Sequence, residues 1–196
     1  MSSLPSDLEA PVLLIAMPQV LDPYFHRSVV LLLHHEEEGS VGFIINRTTE
    51  IRVAEILQGM EVTWGGESAL KAYFGGPVQP QLGSVLCVLD APQHAELEEE
   101  LAASEIQDGL WVTQHLGDLQ QLAEEPPERF RLVLGYAGWG EGQLMEEIER
   151  NDWLIAPVDQ ELVFGEPDAV WAQALHSVGV DPAALQSWPT GGGDAN

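Results

Sequence analysis

Four glycines lie close together in the stretch GYAGWGEG, residues 135–142, between an apolar strand pattern and a helix pattern. A glycine-rich turn before a helix often binds phosphate, because backbone N–H groups and the helix dipole both favour an anion there. Gly138 and Gly140 depart by one residue from the G-x-G-x-x-G spacing, and Glu141 and Glu146 would repel a phosphate. The pattern therefore predicts a tight corner packed by aromatic side chains, with no nucleotide cofactor.

A second candidate is the stretch DPYFHRS, residues 22–28. Asp22 followed by proline predicts a turn, and Arg27 then leads into an apolar strand. Two roles are open for Arg27: an ion pair with Asp22 that holds the loop, or the binding of an anionic ligand. The same stretch allows a hydrolase, in which Ser28, His35 or Asp22 would supply the nucleophile and the base from one cleft.

Other catalytic patterns are incomplete. The stretch GESAL, residues 66–70, lacks the last glycine of the G-x-S-x-G nucleophile elbow. Cys87, the single cysteine, falls in an apolar strand pattern that predicts a buried and unreactive thiol. The six histidines form no H-E-x-x-H pair, and His94 with Glu98 would supply only two ligands. We therefore expect neither a metal nor a cofactor.

The charge of the chain limits its partners. Its 196 residues include 32 Asp and Glu but only 7 Lys and Arg, which gives a net charge of −25 at pH 7. Such a field repels polyanions, so we expect no autonomous binding to nucleic acid and none to anionic membranes. One cysteine cannot form an internal disulfide, and the first residues lack the basic and apolar regions of an export signal. We expect a cytoplasmic monomer whose partner is a protein or a small molecule.

Apolar patterns predict strands and helices joined mostly by short links. Strands are expected at residues 12–17, 29–33, 41–45, 84–89, 110–114, 130–135 and 153–158. Helices are expected at residues 53–60, 93–105, 118–122, 143–150 and 167–178. Asp118 would cap its helix, and residues 61–83, rich in glycine and proline, would be irregular with short extended pieces. The order predicts a single α+β domain over residues 1–188, with a mixed, largely antiparallel sheet, and a loose tail at residues 189–196.

Three long stretches together carry a family resemblance. They are LLIAMPQVLDPYFHRSVVLLLHHEEEGSVGFIINR at residues 13–47, FGGPV at 74–78 and LGYAGWGEGQLMEEIERNDWLIAPVD at 134–159. In this order and spacing, the chain resembles the YqgE/AlgH family of bacterial proteins over nearly its whole length. The resemblance implies an α+β fold in which a split sheet forms a partial barrel with flanking helices. It implies no particular reaction, and the family's alginate-linked member is regarded as a regulator.

The chain departs from the family pattern after the Gly-Gly-Pro motif. Many relatives carry Arg-Gly-Phe and then Leu-His there, whereas this chain has Leu82, Gly83 and Ser84, followed by Leu86 and Cys87. A family role that depends on that arginine or histidine is therefore not carried over to this chain.

Three functions follow from these observations, in order of preference. The first is a binding or regulatory module whose motif segments meet a partner protein or a small ligand at one surface. The candidate surface consists of Asp22, Arg27, Ser28, His35, Asn46, Arg47, Gly75, Gly76, Trp139 and Gln143. The second is a hydrolase-like enzyme that uses residues 22–28. The third is a transcriptional regulator, which the net charge of −25 disfavours.

Overall fold

The computed structural model describes residues 8–89 and 101–186, so the predicted tail at residues 189–196 lies outside it. Ten strands lie in the described part: β1 Val12–Ala16, β2 Val29–Glu36, β3 Gly39–Ile44, β4 Thr48–Arg52, β5 Lys71–Phe74, β6 Val78–Val88, β7 Ser104–Gln107, β8 Leu110–Thr113, β9 Phe130–Gly140 and β10 Trp153–Ala156. The same residues form six helices: α1 Val53–Gly59, α2 Leu116–Glu124, α3 Gln143–Glu149, α4 Gln160–Val163, α5 Pro167–Ser177 and α6 Pro182–Gln186. None of these helices combines the length and the apolarity needed to cross a membrane.

Strand β9 is the centre of the sheet, because three other strands pair with it. Its first half pairs with β6 and, in parallel, with β5, while its second half pairs with β3. The main order of strands is β10-β1-β2-β3-β9-β6-β8-β7, with β4 attached to β5. Every pairing except that of β5 with β9 is antiparallel. The sheet is split into two parts at β9 and curls into a partial barrel, which confirms the predicted α+β fold.

Three apolar clusters hold the two parts of the sheet and the helices together. The first lies inside the curve of the sheet, because it joins Leu31 and Phe43 of one part to Leu86 and Val133 of the other. Helix α5 packs into this interior through residues that include Trp171. The second cluster packs α1 and α2 against the sheet, and the third packs α3 and the loop after β1. The interior of the barrel is therefore covered by helices only in part.

The glycine-rich stretch is a strand over most of its length, so the prediction of a corner there is wrong. Strand β9 continues through Gly140, and the chain turns only at the next two residues, where Gly142 has a φ of +70°. Gly135, with a φ of +69°, marks the point at which β9 passes from β5 to β3. Glycine is disfavoured in strands, but pairing of Gly138 and Gly140 with β3 overrides the local preference here.

Two further strands differ from the sequence prediction. Strand β4 was not predicted, and it pairs with β5. Strand β5 and the start of β6 are short extended pieces of the kind expected within residues 61–83. Strand β7 replaces the end of the helix predicted at residues 93–105, of which residues 93–100 lie outside the described residues. Asp108 and Gly109, with φ values of +48° and +79°, form a two-residue turn that pairs β7 with β8.

Arg131 of β9 fixes the helices to the interior of the sheet. The residue is 5% exposed, and its guanidinium donates to the carbonyl oxygens of Ile45, Val163 and Gly165. The ring of Tyr73 lies over it, with the ring centroid 4.0 Å from Cζ. Burial lowers the pKa of Arg131 to about 10, so the guanidinium stays charged at neutral pH. This contact set anchors the turn between α4 and α5.

Candidate functional site

The motif loop, defined as residues 22–28, is held by its own backbone and by aromatic contacts. Asp22 Oδ1 accepts a hydrogen bond of 2.8 Å from the backbone N–H of Tyr24. Arg27 lies over the ring of Trp171, with its Cζ 5.2 Å from the ring centroid. Among the described residues, Arg27 has no carboxylate within 4.0 Å. The predicted ion pair between Asp22 and Arg27 is therefore not formed.

Asn46 and Arg47 tie the motif loop to the segment after β3. The Asn46 side chain donates to the carbonyl of Arg27 at 2.9 Å and accepts from the backbone N–H of Val29 at 2.8 Å. The Arg47 guanidinium donates to the carbonyl of His26. Arg27 has a φ of +53°, a left-handed conformation that costs a residue with a side chain on the order of 1–3 kcal/mol. The bond from Asn46 stabilises this conformation.

Gly75 and Gly76 allow close packing of the backbone. The N–H of Ile44 donates to the carbonyl of Gly75, and the N–H of Gly75 donates to Leu134, each at 2.8 Å. This residue therefore joins β3 to β9. A Cβ atom at Gly76, whose φ is +152°, would overlap the backbone of Tyr136. Both glycines are thus required by the fold.

Trp139 and Gln143 belong to a second group, on the outer face of the sheet. Glu147 of α3 accepts hydrogen bonds from the indole N–H groups of Trp139 and Trp153, each at 2.8 Å. It also accepts from the side-chain amide of Gln143 at 3.0 Å. The ring of Phe25 lies 6.1 Å from that of Trp139 and 5.9 Å from that of Trp153. The second group therefore contacts the motif loop through Phe25.

The side chains proposed for a hydrolase have separate partners. Nδ1 of His35 lies 2.7 Å from Oγ of Ser40, its cross-strand neighbour. Ser28 is fully buried, and its hydroxyl has no hydrogen-bond partner among the described residues. The Asp22 carboxylate is occupied by the backbone of the motif loop. Ser28, His35 and Asp22 consequently do not assemble into one nucleophile and base.

The interior of the partial barrel opens into a cleft of about 480 Å³, called the lumen cleft below. Its lining comes from six strands and two short links: Leu33, Val41, Phe43, Gln79, Leu82, Ala102, Ser104, Val112, Thr113, Gln114, His115 and Tyr136. Phe43 also belongs to the inner core, and Leu33, Val112 and Tyr136 pack against that core while half-exposed. The lumen cleft is thus the solvent-facing continuation of the core. It contains none of the ten predicted site residues.

Among residues 8–89 and 101–186, the lining of the lumen cleft includes no Asp, Glu, Lys or Arg, although the chain has 32 acidic residues. Asp118 lies next to it, where its carboxylate accepts from the Thr113 hydroxyl and from the backbone N–H of Ala102. The prediction that Asp118 caps α2 is therefore wrong, because the N-cap is His115 and Asp118 lies buried in the first turn. Among residues 8–89 and 101–186, no group of three or more His, Cys, Asp or Glu could hold a metal.

Several polar side chains of the lumen cleft are free to bind a ligand. Within the described part of the chain, four of them make no side-chain hydrogen bond: Gln79, Ser104, His115 and Tyr136. Gln114 donates to Oγ of Ser84 at 3.0 Å, which leaves its carbonyl oxygen as an acceptor. Ligand pockets commonly measure ~300–1,000 Å³ and combine apolar walls with a few polar groups. The lumen cleft has this size and composition.

Sequence reasoning missed the lumen cleft because its lining is spread between residues 33 and 136 without a local motif. The available signal is apolar alternation that continues beyond the buried core. In β2 and β3, Leu33 and Val41 extend the inward-facing rows of Leu31 and Phe43 towards the end of the hairpin. A row of inward-facing apolar residues that continues beyond the helices packed on it indicates that part of the interior surface is exposed.

Comparison with known proteins gives one consistent result. A family model described as AlgH-like, DUF179, matches residues 13–183. A UPF0301 protein of Myxococcus xanthus is 42% identical over 178 residues, which cover 90% of this chain and 94% of the relative. A UPF0301 protein of Ruegeria pomeroyi is 38% identical over 179 residues, which cover 89% of this chain and 94% of the relative.

Two solved structures are similar to this one. The solution structure of the AlgH protein from Pseudomonas aeruginosa has a TM-score of 0.69 at 30% identity, covering 93% of this chain and 97% of that one. A crystal structure of a Corynebacterium diphtheriae protein has a TM-score of 0.74 at 24% identity, covering 94% of this chain and 92% of that one. The second likeness concerns the fold alone. The family model, the identities to relatives and the shared partial barrel agree with the predicted resemblance, and this chain belongs to the AlgH-like family.

Proposed function

We propose that this protein is a binding module with a regulatory role, and that it takes a small, mainly uncharged ligand into the lumen cleft. One observation carries the proposal. As far as the described residues show, the cleft of about 480 Å³ has an apolar floor, free polar groups and no Asp, Glu, Lys or Arg side chain, in a protein with a net charge of −25. Side chains of the candidate surface such as Asn46 and Trp139, in contrast, make hydrogen bonds within the protein.

The energetics favour an amphipathic ligand. Apolar surface that a ligand removes from water contributes ~25 cal/mol per Å². The half-exposed side chains of Leu33, Val41 and Val112 offer such surface. The free groups of Gln79 and Tyr136 would orient a ligand, because an unsatisfied polar group at a buried interface is costly. A charged ligand would lose its hydration without meeting a counter-charge.

A hydrolase is the alternative, and one contact favours it in a modified form. Ser40, rather than Ser28, lies within hydrogen-bond distance of His35, at 2.7 Å. No described carboxylate orients the imidazole of His35, whereas established Ser-His sites have such a third group. Covalent labelling of Ser40 by a fluorophosphonate, lost in Ser40→Ala, would establish this alternative.

We also propose that the protein works in the cytoplasm, as a monomer, and without binding nucleic acid on its own. Cys87 supports a reducing compartment, because it is the single cysteine and is buried. The charge of −25 supports the exclusion of DNA and RNA. Gel filtration with light scattering tests the monomer, and a DNA titration at low salt tests the exclusion.

The binding proposal is tested by thermal-shift screening with a library of uncharged metabolites and fragments. A ligand at a hundred times its dissociation constant adds ~2.7 kcal/mol of stability. Hits should stabilise the wild type and a control variant, Ile51→Trp, whose side chain lies on the exposed strand β4. They should lose their effect in Val112→Trp, which fills the lumen cleft. Equal stabilisation of Val112→Trp, or no hit across the library, would contradict the proposal.

A further inference from the structure

The seven cationic side chains of this acidic protein do not all have acidic partners. Four form ion pairs with a carboxylate: Arg52, Lys71, Arg129 and Arg150. Arg131 is buried and bound to backbone carbonyls. Arg27 and Arg47 have no carboxylate within 4.0 Å among the described residues. In a chain with 32 acidic residues, two arginines without an acidic partner in the described part of the chain call for an explanation.

Both arginines belong to the motif loop and its tie. The Arg47 guanidinium reaches the carbonyl of His26, the residue before Arg27. Asn46, the neighbour of Arg47, holds the carbonyl of Arg27 at 2.9 Å. Arg27 has a left-handed backbone, with a φ of +53°, and its guanidinium lies over the ring of Trp171. One arginine thus belongs to the motif loop, and the other contacts the loop through its guanidinium.

The N–H groups of this pair are in part unused. A guanidinium stacked on an aromatic face keeps its in-plane N–H groups available, and Arg27 is exposed. Nε of Arg47 is buried without a hydrogen-bond partner, and so is the hydroxyl of Ser28. These are two of the three such side-chain atoms found in the described residues. Unsatisfied buried donors are rare in folded proteins, so Ser28 of the motif loop and Arg47, which contacts the loop at His26, are unusual residues.

We propose that the motif loop binds an oxyanion, the carboxylate or phosphate group of a ligand, through Arg27 and Arg47. A planar guanidinium matches the two oxygen atoms of such a group. The carboxylates nearest in sequence have other partners, because Asp22 accepts backbone N–H groups and Glu50 forms an ion pair with Lys71. Leu21 and Tyr24 beside it are 71% and 48% exposed, which suits an anionic group on an apolar carrier. The attraction is local, because the field of the whole protein is negative and opposes approach from a distance.

This oxyanion site is separate from the lumen cleft and does not depend on the proposed function. No residue of the motif loop lines the lumen cleft. A ligand that carries both an anionic end and a neutral end would still need two different surfaces. The failure of either proposal therefore leaves the other standing.

The test uses ¹⁵N NMR of the arginine Nε–Hε groups in the full-length protein. Sodium phosphate and sodium acetate are titrated separately, with sodium chloride at equal ionic strength as the reference. We expect saturable shifts of the Arg27 and Arg47 signals, with a dissociation constant on the order of 1 mM. The stronger of the two anions identifies the group that the site prefers. Shifts no larger than those in chloride for both anions would overturn the proposal.

Variants separate the site from general charge effects. Arg27→Gln should weaken binding about tenfold or more, because it removes charge-assisted hydrogen bonds. The control Arg52→Gln removes the same charge from a side chain that is 55% exposed and ion-paired, and it should leave the affinity unchanged. Arg27→Lys retains the charge without the planar fork and should bind with intermediate affinity. Equal weakening by Arg27→Gln and Arg52→Gln would overturn the proposal, and the wild-type titration decides it if a variant fails to fold.

Discussion

The motif loop with its ties and the lumen cleft use polar side chains in opposite ways. Around the motif loop, Asp22 and Asn46 bind backbone groups, and Glu147 binds two indoles and an amide. In the lumen cleft, the side chains of Gln79 and Tyr136 bind nothing among the described residues. Much of the distinctive sequence therefore stabilises the fold, and ordinary strand residues line most of the lumen cleft. A motif marks a demanding structural position at least as readily as a site of chemistry.

The same contrast separates the two arginine roles of the protein. The guanidinium of Arg131 donates hydrogen bonds to three backbone carbonyls inside the barrel. The guanidinium of Arg27 lies at the surface, over the ring of Trp171. Burial with full satisfaction indicates a structural residue, and exposure without an acidic partner indicates an available one.

The largest expected effect is the loss of folded protein in Gly76→Ala. The added Cβ would overlap the backbone of Tyr136, and the φ of +152° suits only glycine. We expect destabilisation of about 3 kcal/mol or more, measured by urea unfolding. The control is Gly59→Ala at the end of α1, where a Cβ meets nothing within 4 Å. Similar stability of both variants would contradict the claim that the FGGPV motif is required for the fold.

Thiol reactivity should distinguish the second apolar cluster, which contains Cys87, from the lumen cleft. Burial, with a smaller contribution from Asp118, raises the pKa of Cys87 to about 12 from 9.0. At pH 8 we expect about 10³-fold slower modification than in the unfolded chain, because the thiolate is the reactive form. A cysteine placed at Val112 in a Cys87→Ser background should react far faster. Equal rates at both positions would show that the cleft is closed in solution.

The raised pKa of Cys87 also sets the pH dependence of stability. The folded state favours the neutral thiol, so this contribution is fully present below pH 9. It is lost as the pH rises from 9 towards about 12. Unfolding measurements in this range should show a smaller fall in the free energy of unfolding for Cys87→Ala than for the wild type. The same fall in the free energy of unfolding for both proteins would contradict a raised pKa of Cys87.

Removal of the Asn46 side chain should destabilise the protein by about 2–3 kcal/mol, because two backbone groups lose their partner. The N–H of Val29 is in the core, and the carbonyl of Arg27 depends on the same amide. Chemical denaturation of Asn46→Ala measures the effect. Gln120→Ala, at an exposed position of α2, should change stability by no more than about 0.5 kcal/mol. Equal losses of stability in the two variants would show that the Asn46 side chain does not stabilise the fold.

The smallest expected effect is that of Tyr136→Phe in the lumen cleft. Its hydroxyl makes no hydrogen bond with the described residues, so the free energy of unfolding should change by less than about 0.5 kcal/mol. The affinity for any ligand found by thermal-shift screening should fall instead. A large loss of stability would mean that the cleft, like the motif loop, serves the fold.

Much of the fold was predictable, because the apolar runs that form β1, β2 and β3 are long and uninterrupted by charge. The second half of β9 was not, since its glycines are strand-breaking until β3 pairs with them. The turn at Asp108 and Gly109 carried a readable Asp-Gly hairpin signal. The leucine spacing of residues 93–105 indicated a helix, and this prediction concealed the hairpin signal that follows it.

The candidate site was less predictable than the fold. Residues such as Asn46 and Trp139 attract notice because their types are uncommon, yet their polar atoms are committed to the fold. Leu33 and Val112 look like any core residue in sequence. Only the curl of the sheet brings them to one opening, and that curl depends on long-range pairing around β9. No local pattern in a single sequence marks that opening.

The central claim is that the lumen cleft, and not the motif loop, receives neutral ligands. Backbone amide shifts in ¹⁵N-labelled protein, recorded against a library of uncharged fragments, test it most directly. We predict that the perturbed amides cluster at Val41, Val112, His115 and Tyr136, with the motif loop unaffected. Perturbations centred on residues 22–28, or none at saturating fragment concentrations, would contradict the claim.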